Sequence, residues 1–372
     1  MKTIVVSAVN LNVGGTLTIL NDCLKYLSEF NKHKRYRVVA LVFDKKLCEF
    51  PNVEYIETKW PKKRWINRLW YEYASMKRIS KSLGPIELWF SLHDTTPNVI
   101  ANNQAVYCHN PFPFYKWKIR EMFFAPKIVL FSLFSKYIYQ KGIHKNKFVV
   151  VQQQWIKDEF KKMFSINSEK LIIALPDKPH YNVPSELNDI KKVNSERKEK
   201  SFIFASSANS HKNFECLLSA AEILVNNGVN DFKVFITLSG TENPYARWLK
   251  KKWSGVKQIQ WVGFQNRSDL FALYERSTAL VFPSKVETWG LPISEYSEFD
   301  KPMLLADLPY AKETAASAKK VAYFDPNNAN QLANMMANII NGDTSFLKNQ
   351  GGQKLEDPVV NNWNDLFSLL LK

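Results

Sequence analysis

The stretch VFPSKVETWGLPISEYSEFDKPMLLADLP, residues Val281 to Pro309, decides the fold. Ala279 to Phe282 reads as a short buried strand that Pro283 stops. A loop follows, carrying Glu287, Thr288, Trp289 and Gly290. Pro292 then occupies the start of a helix expected from about Leu291 to Phe299, where its missing N–H costs nothing. Lys301-Pro302 leads into a second buried strand, Met303 to Ala306. Strand, glycine-bearing loop and helix start together leave free backbone N–H groups pointing at one spot, which makes an anion site. Glu287 in the loop and Glu295 in the first helical turn frame that site. Carboxylates repel phosphate, so the two acids are expected to accept hydrogen bonds from hydroxyls. A phosphate flanked by two sugars, as in a nucleotide-sugar, satisfies both demands. Taken alone, the two glutamates also fit an ordinary strand–loop–helix unit with one exposed and one capping acid.

The longer constellation is more specific. Phe282-Pro283-Ser284, then Glu287-Thr288-Trp289-Gly290-Leu291-Pro292, then Glu295, resembles the donor-site signature of the retaining glycosyltransferases of family GT4, which have the GT-B fold. The resemblance implies an α/β protein with two Rossmann-like, doubly wound parallel-sheet domains facing a cleft. It implies transfer of a hexose-type sugar from a nucleotide-diphosphate sugar to an acceptor hydroxyl, with the anomeric configuration kept. It also implies that Glu287 lies by the donor sugar and Glu295 holds the ribose hydroxyls. The amides of Thr288, Trp289, Gly290 and Leu291 then meet the sugar or the diphosphate.

The rest of the chain gives this reading room. With 372 residues, two domains with full cores are affordable. Nearly half the residues are hydrophobic, which excludes a disordered protein. Lys2 precedes an apolar run, Ile4 to Val9, that is too short for a membrane span and lacks a signal-peptide cleavage site. The run Ile128 to Phe134 also fails on length. Four scattered cysteines without CxxC spacing point to a reduced, cytoplasmic compartment. The net charge of +16 calls for an anionic partner: nucleic acid, anionic lipid or a phosphorylated substrate.

The first half reads as a βα alternation. Ile4 to Val9, a turn ending in Gly14-Gly15, and a helix with Leu17, Leu20, Leu24 and Leu27 on one face open a nucleotide-fold unit. The three-glycine dinucleotide fingerprint is missing. Gly14 and Gly15 either make a tight turn or, as the resemblance implies, face donor phosphate and acceptor. Strands Glu87–Leu92 and Gln104–Cys108 end in His93-Asp94 and in His109, at the carboxyl edge where α/β sheets bind ligands. The resemblance makes His109 the active-site histidine and puts His93 and Asp94 on the acceptor side. Between these features lies KWPKKRWINRLWYEYASMKR, Lys59 to Arg78, with seven Lys or Arg, three Trp and two Tyr. Such a run suits lipid headgroups, single-stranded nucleic acid, or a helix with an aromatic core side and a solvated basic side.

Residues 1–178 are expected to form the first domain, 179–200 a polar linker, 201–355 the donor-binding domain, and 356–372 a helix crossing back. In the second domain, the loop after strand Ser201–Ala205 holds Lys212, which by resemblance grips the donor diphosphate. The partner arginine of that family is replaced by Ser206 or Ser207, so one charge is missing. Phe264 and Gln265 are candidates for contact with the base, and Ser268 is the expected cap of the helix after them. With no Asp-x-Asp and no histidine–carboxylate cluster, neither metal nor other cofactor is expected. By resemblance, the acceptor is a saccharide carried on polyprenyl diphosphate, in lipopolysaccharide or capsule assembly. The protein would then sit peripherally on the anionic inner face of the plasma membrane, with no nucleic-acid partner. The competing readings are a glycosidase using the two acids, a basic nucleic-acid binder, and an inactive GT-B carbohydrate-binding subunit.

Overall fold

The computed structural model describes residues 1–33, 35–117, 119, 121–176 and 199–372. Its strands are β1 (Lys2–Ser7), β2 (Tyr36–Val42), β3 (Glu54–Glu57), β4 (Ile86–Ser91), β5 (Asn103–Tyr107), β6 (Phe148–Val151) and β7 (Leu171–Ala174). There follow β8 (Lys200–Phe204), β9 (Phe232–Ile236), β10 (Ile259–Trp261), β11 (Ala279–Phe282), β12 (Met303–Ala306), β13 (Val321–Phe324) and β14 (Val359–Val360). They form two sheets, ordered β14-β7-β6-β5-β4-β1-β2-β3 and β10-β9-β8-β11-β12-β13. Every ladder within them is parallel. Strands covered on both faces must be apolar throughout. Val149–Val151, Leu171–Ile173 and Ala279–Phe282 meet that demand, each residue being buried.

Each sheet has a place where the strand order reverses. In the first, β1 lies between β2 and β4; in the second, β8 lies between β9 and β11. Loops leaving the carboxyl ends of strands diverge at such a point and leave a crevice for ligand. The loops carrying His93, Lys212 and Glu287 all leave strands at these two reversals.

The chain divides into two compact units. The first takes the described parts of Met1–Pro113, Phe131–Asp177 and Leu355–Lys372; the second takes the described parts of Phe114–Leu130 and Lys178–Lys354. The expected division put residues 114–130 in the first domain and let 356–372 cross back; in this division 114–130 fall in the second unit. In this segment Tyr115, Phe124 and Glu121 make contacts inside the second unit, and Glu121 pairs with Lys285 at 2.6 Å. Phe124 packs on the rings of Tyr245 and Trp248, and Tyr115 meets His211 edge-on. Residues 179–198 of the expected linker lie outside the described residues, and Lys200 already belongs to β8.

Residues 355–372 complete the first unit. β14 adds to the edge of β7, with Val359 opposite Ile173. The helix Trp363–Leu370 buries Phe367 completely against Phe90 and Tyr26. Lys157, itself fully buried, donates to the carbonyls of Glu356 and Asp357 at 2.8 Å each, which holds the strand's approach in place. The helix after β10 runs Arg267–Arg276 and is capped by Asn266, whose side chain accepts from the amide of Asp269 at 2.9 Å. Ser268 is therefore its second residue and not its cap, because the asparagine one step outside reaches the free amide first.

Candidate active site

In the second unit the loops after β8 and β11 are tied together. Asn213 adopts a left-handed backbone, φ 59°, which asparagine tolerates better than most residues. From there its Nδ2 donates to the carbonyls of Pro283 at 3.0 Å and Pro326 at 2.8 Å. The Lys285 amide donates to the carbonyl of His211 at 2.8 Å. These bonds bring Lys212 and Glu287 side by side: Nζ lies 2.6 Å from Oε1, with both side chains largely buried. The two residues that the sequence separates by 75 positions thus form one charged pair. Burial, with the positive charges of Lys212 and Lys285 nearby, pushes the imidazole of His211 well below its usual range.

Gly290 turns the loop into the helix Leu291–Ser297. It has φ 91°, and a Cβ there would meet Ile293 Cδ1 at 3.3 Å and Phe282 Cε1 at 3.6 Å. Both the conformation and the space call for glycine. Among the described residues, no acceptor takes up the backbone amides of Thr288, Trp289, Gly290 or Leu291. The Trp289 indole donates to Ser294 Oγ at 3.3 Å, and the Thr314 hydroxyl donates to the Trp289 carbonyl, so the loop is held from below. Glu295 falls in the second turn of the helix, one turn later than the sequence suggests, since the helix starts at Leu291. Its carboxyl accepts from the Tyr274 hydroxyl at 3.3 Å; burial raises its pKa against the opposing effects of Tyr274 and Arg267.

The other expected donor contacts are placed less closely. Ser207 is exposed, and its Oγ accepts from Asn209 Nδ2 at 2.9 Å within the same loop as Lys212. Phe264 is 91% exposed, at the turn after β10, and β9 separates that strand from β8. Gln265 folds back onto its own turn, donating to the Val262 carbonyl at 2.8 Å.

The first unit gathers a second cluster. His93 is fully buried; its Nε2 lies 2.9 Å from Ser7 Oγ and its Nδ1 3.0 Å from Thr95 Oγ1. Thr95 donates to Glu72 at 2.8 Å, and Glu72 is paired with Arg68 at 2.8 Å. Both ring nitrogens of His93 are therefore engaged inside the protein. Asp94, at φ 70°, accepts the His109 amide at 2.6 Å and so fixes the start of that loop. The His109 ring stacks on Tyr107, centroids 4.3 Å apart, and its Nε2 donates to the Leu92 carbonyl at 3.0 Å. That bond leaves Nδ1 as an acceptor, and no described residue donates to it. The helix after β1 begins at Gly14 itself, φ 62°, so Gly14 and Gly15 form its first turn and not a preceding loop.

Burial lowers His109 to about 3 and His93 to about 4, the latter partly offset by Glu72, and raises Asp94 to about 6. A pH dependence follows. Both imidazoles are neutral in the fold but charged in the unfolded chain below about pH 6.5, so stability is lost as pH falls from there toward 4. Asp94 acts oppositely: its contribution is full below its unfolded pKa and is lost as pH rises toward 6. Two depressed histidines outweigh one raised carboxyl, so stability is expected to be a few kcal/mol higher at pH 7 than near pH 4.5. Urea midpoints at the two values check this, and equal midpoints would contradict neutral buried imidazoles.

Sequence reasoning passed over several of these residues. Glu72 is the sole acid among the cations of 59–78, and Glu121 is the sole acid from 111 to 140. Each is buried and ion-paired: Glu72 with Arg68, Glu121 with Lys285 at 2.6 Å and with the Tyr115 hydroxyl. A lone carboxylate in a basic, aromatic run is the signal that finds them. Among the described residues, no three His, Cys, Asp or Glu side chains group as metal ligands.

Known proteins resemble the chain along most of its length. Residues 185–352 match the family model of glycosyl transferases group 1. Over 320 residues the chain is 22% identical to the O-antigen chain mannosyltransferase RfbU of Salmonella typhimurium, a match covering 85% of this chain and 80% of that one. The structure aligns with a glycosyltransferase from Rickettsia africae at TM-score 0.63 and 18% identity, covering 94% and 91% of the two chains. It aligns with Anabaena HepE, solved in complex with UDP and glucose, at TM-score 0.62 and 14% identity, covering 93% and 92%. The two parallel-sheet units are those of the GT-B fold.

Proposed function

We propose that this chain, whose residues 185–352 are a group 1 glycosyl transferase domain, moves a sugar from a nucleotide-diphosphate donor to a saccharide acceptor with retention of configuration. The observation that carries the proposal is the Lys212–Glu287 pair beside the unclaimed amides of Thr288 to Leu291, at the strand reversal of the second sheet. In this reading the bond from the anomeric carbon to the diphosphate oxygen breaks, and the electron pair leaves with the diphosphate. Lys212 and the amides stabilise that growing charge, which preorganised donors do well in a dry site. The acceptor oxygen attacks from the same face and gives its proton to the departing phosphate. Glu287 serves the donor sugar and Glu295 the ribose hydroxyls.

The likeness to an O-antigen chain mannosyltransferase supports a place in lipopolysaccharide-type surface polysaccharide assembly. The acceptor in this reading is a saccharide carried on a lipid, and the working place is the inner, anionic membrane face. No described helix is long and apolar enough to cross a membrane. Metal independence is part of the proposal. A thermal-shift panel of UDP, GDP, ADP and CMP sugars, run with EDTA present, tests it. One nucleotide class is expected to raise the melting temperature, and transfer from that donor is expected to survive the chelator. No response to any activated sugar would refute the reading.

A further inference from the structure

The helix Pro126–Gln140 carries large apolar side chains on its solvent side as well as on its inner side. Leu130 is 54% exposed, Leu133 46%, Phe134 56% and Tyr137 58%. Their i, i+3, i+4, i+7 spacing puts them in one stripe along the helix. The buried side of the same helix carries Val129 and Tyr139 along with Ser132 and Ser135. A helix packed on a core normally keeps its large apolar residues to the inner side; here four more of them lie in a separate stripe that faces water.

The neighbouring helix Trp65–Trp70 repeats the pattern, with Trp65 50%, Ile66 71% and Trp70 61% exposed. The two helices are adjacent, since Trp65, Leu69, Phe131, Ile138 and Tyr139 line one small pocket. Beneath them Glu72 and Asp94 line that pocket, but the exposed charge of the two segments has one sign. No Asp or Glu occurs from Pro126 to Lys141, and the sole carboxylate between Lys59 and Lys81, Glu72, is buried against Arg68. Lys63, Arg64, Lys136 and Lys141 are exposed. A second copy of the chain docking by the same face in a two-fold dimer would set these cations against their own kind. An anionic lipid surface satisfies both the apolar stripe and the cations.

We propose that Pro126–Gln140 lies in the plane of an anionic membrane, with Leu130, Leu133, Phe134 and Tyr137 below the headgroups and Lys63, Arg64, Lys136 and Lys141 at their phosphates. Fifteen residues of helix reach about 22 Å, short of the roughly 30 Å hydrocarbon thickness, so the helix rests in one leaflet. This deepens the reading of a lipid-borne acceptor by naming the surface that meets the lipid, and rests on that reading only for its purpose.

The test is co-flotation of the full chain with vesicles of phosphatidylcholine alone or mixed with phosphatidylglycerol. Binding to the mixed vesicles is expected to be at least about tenfold tighter and to weaken with salt. The variant Leu133→Asp/Phe134→Asp is expected to lose that binding by more than about tenfold. Its thermal shift with the donor nucleotide and its far-ultraviolet circular dichroism should stay as in the parent. Lys136→Glu/Lys141→Glu is expected to flatten the salt dependence while the stripe stays intact. The proposal is overturned if the parent ignores lipid charge, or if the stripe variant binds equally. It is also overturned if the stripe instead drives self-association in sedimentation, or if an oligonucleotide outcompetes the vesicles. Failure of sugar transfer with vesicle binding intact would count against the proposed reaction and leave this surface standing.

Discussion

Glu287→Gln is expected to lower the rate of sugar transfer by roughly 10²–10³-fold, the scale of losing one preorganised polar group at a reacting centre. The substitution keeps shape and removes charge. Lys212, 2.6 Å away and largely buried, would then lack its counter-ion. A lysine freed in this way attracts phosphate more strongly, so binding of the nucleoside diphosphate product is expected to hold or tighten while turnover collapses. That split separates a role at the sugar from a general weakening of the loop, which would impair both. Unchanged turnover in Glu287→Gln, measured beside an unchanged melting temperature, would remove this residue from the mechanism.

Phe367→Ala is expected to destabilise the first unit by about 3–5 kcal/mol, the range for deleting a buried aromatic ring. The ring is wholly buried and contacts Phe90 on β4, Tyr26 on the first long helix, and Trp363. β4 ends two residues before His93, so the loss reaches the base of the histidine cluster. Chemical denaturation should show the unfolding of the first unit moved to lower denaturant, with the second unit's transition unmoved. A loss under about 1 kcal/mol would mean that the surrounding side chains close the gap.

Much of the architecture was legible from local pattern. Strands such as Val38–Val42 and Leu171–Ile173 are unbroken apolar runs bounded by polar loops, and parallel sheets buried on both faces leave that trace. The donor loop was legible because Pro283, Gly290 and Pro292 each mark a backbone feature at a known offset. What stayed hidden was long-range pairing. Nothing local says that Lys212 will meet Glu287, or that Tyr115 and Glu121 will pack on the loop of Lys285. The break at residue 114 was hidden for the same reason, since aromatic residues announce burial without saying against what. His93 illustrates the converse. A histidine at a strand's carboxyl edge reads as a ligand contact, yet both its nitrogens are satisfied by Ser7 and Thr95.

The position of β14 at the edge of the first sheet, beside β7, has a consequence for biogenesis. A ribosome would release Leu355–Lys372 only after the entire second unit has been made. Until then Phe90 and Tyr26 have no Phe367 to cover them, and β7 offers a bare edge to any passing strand. The first unit therefore closes its core only with a segment made after the second unit.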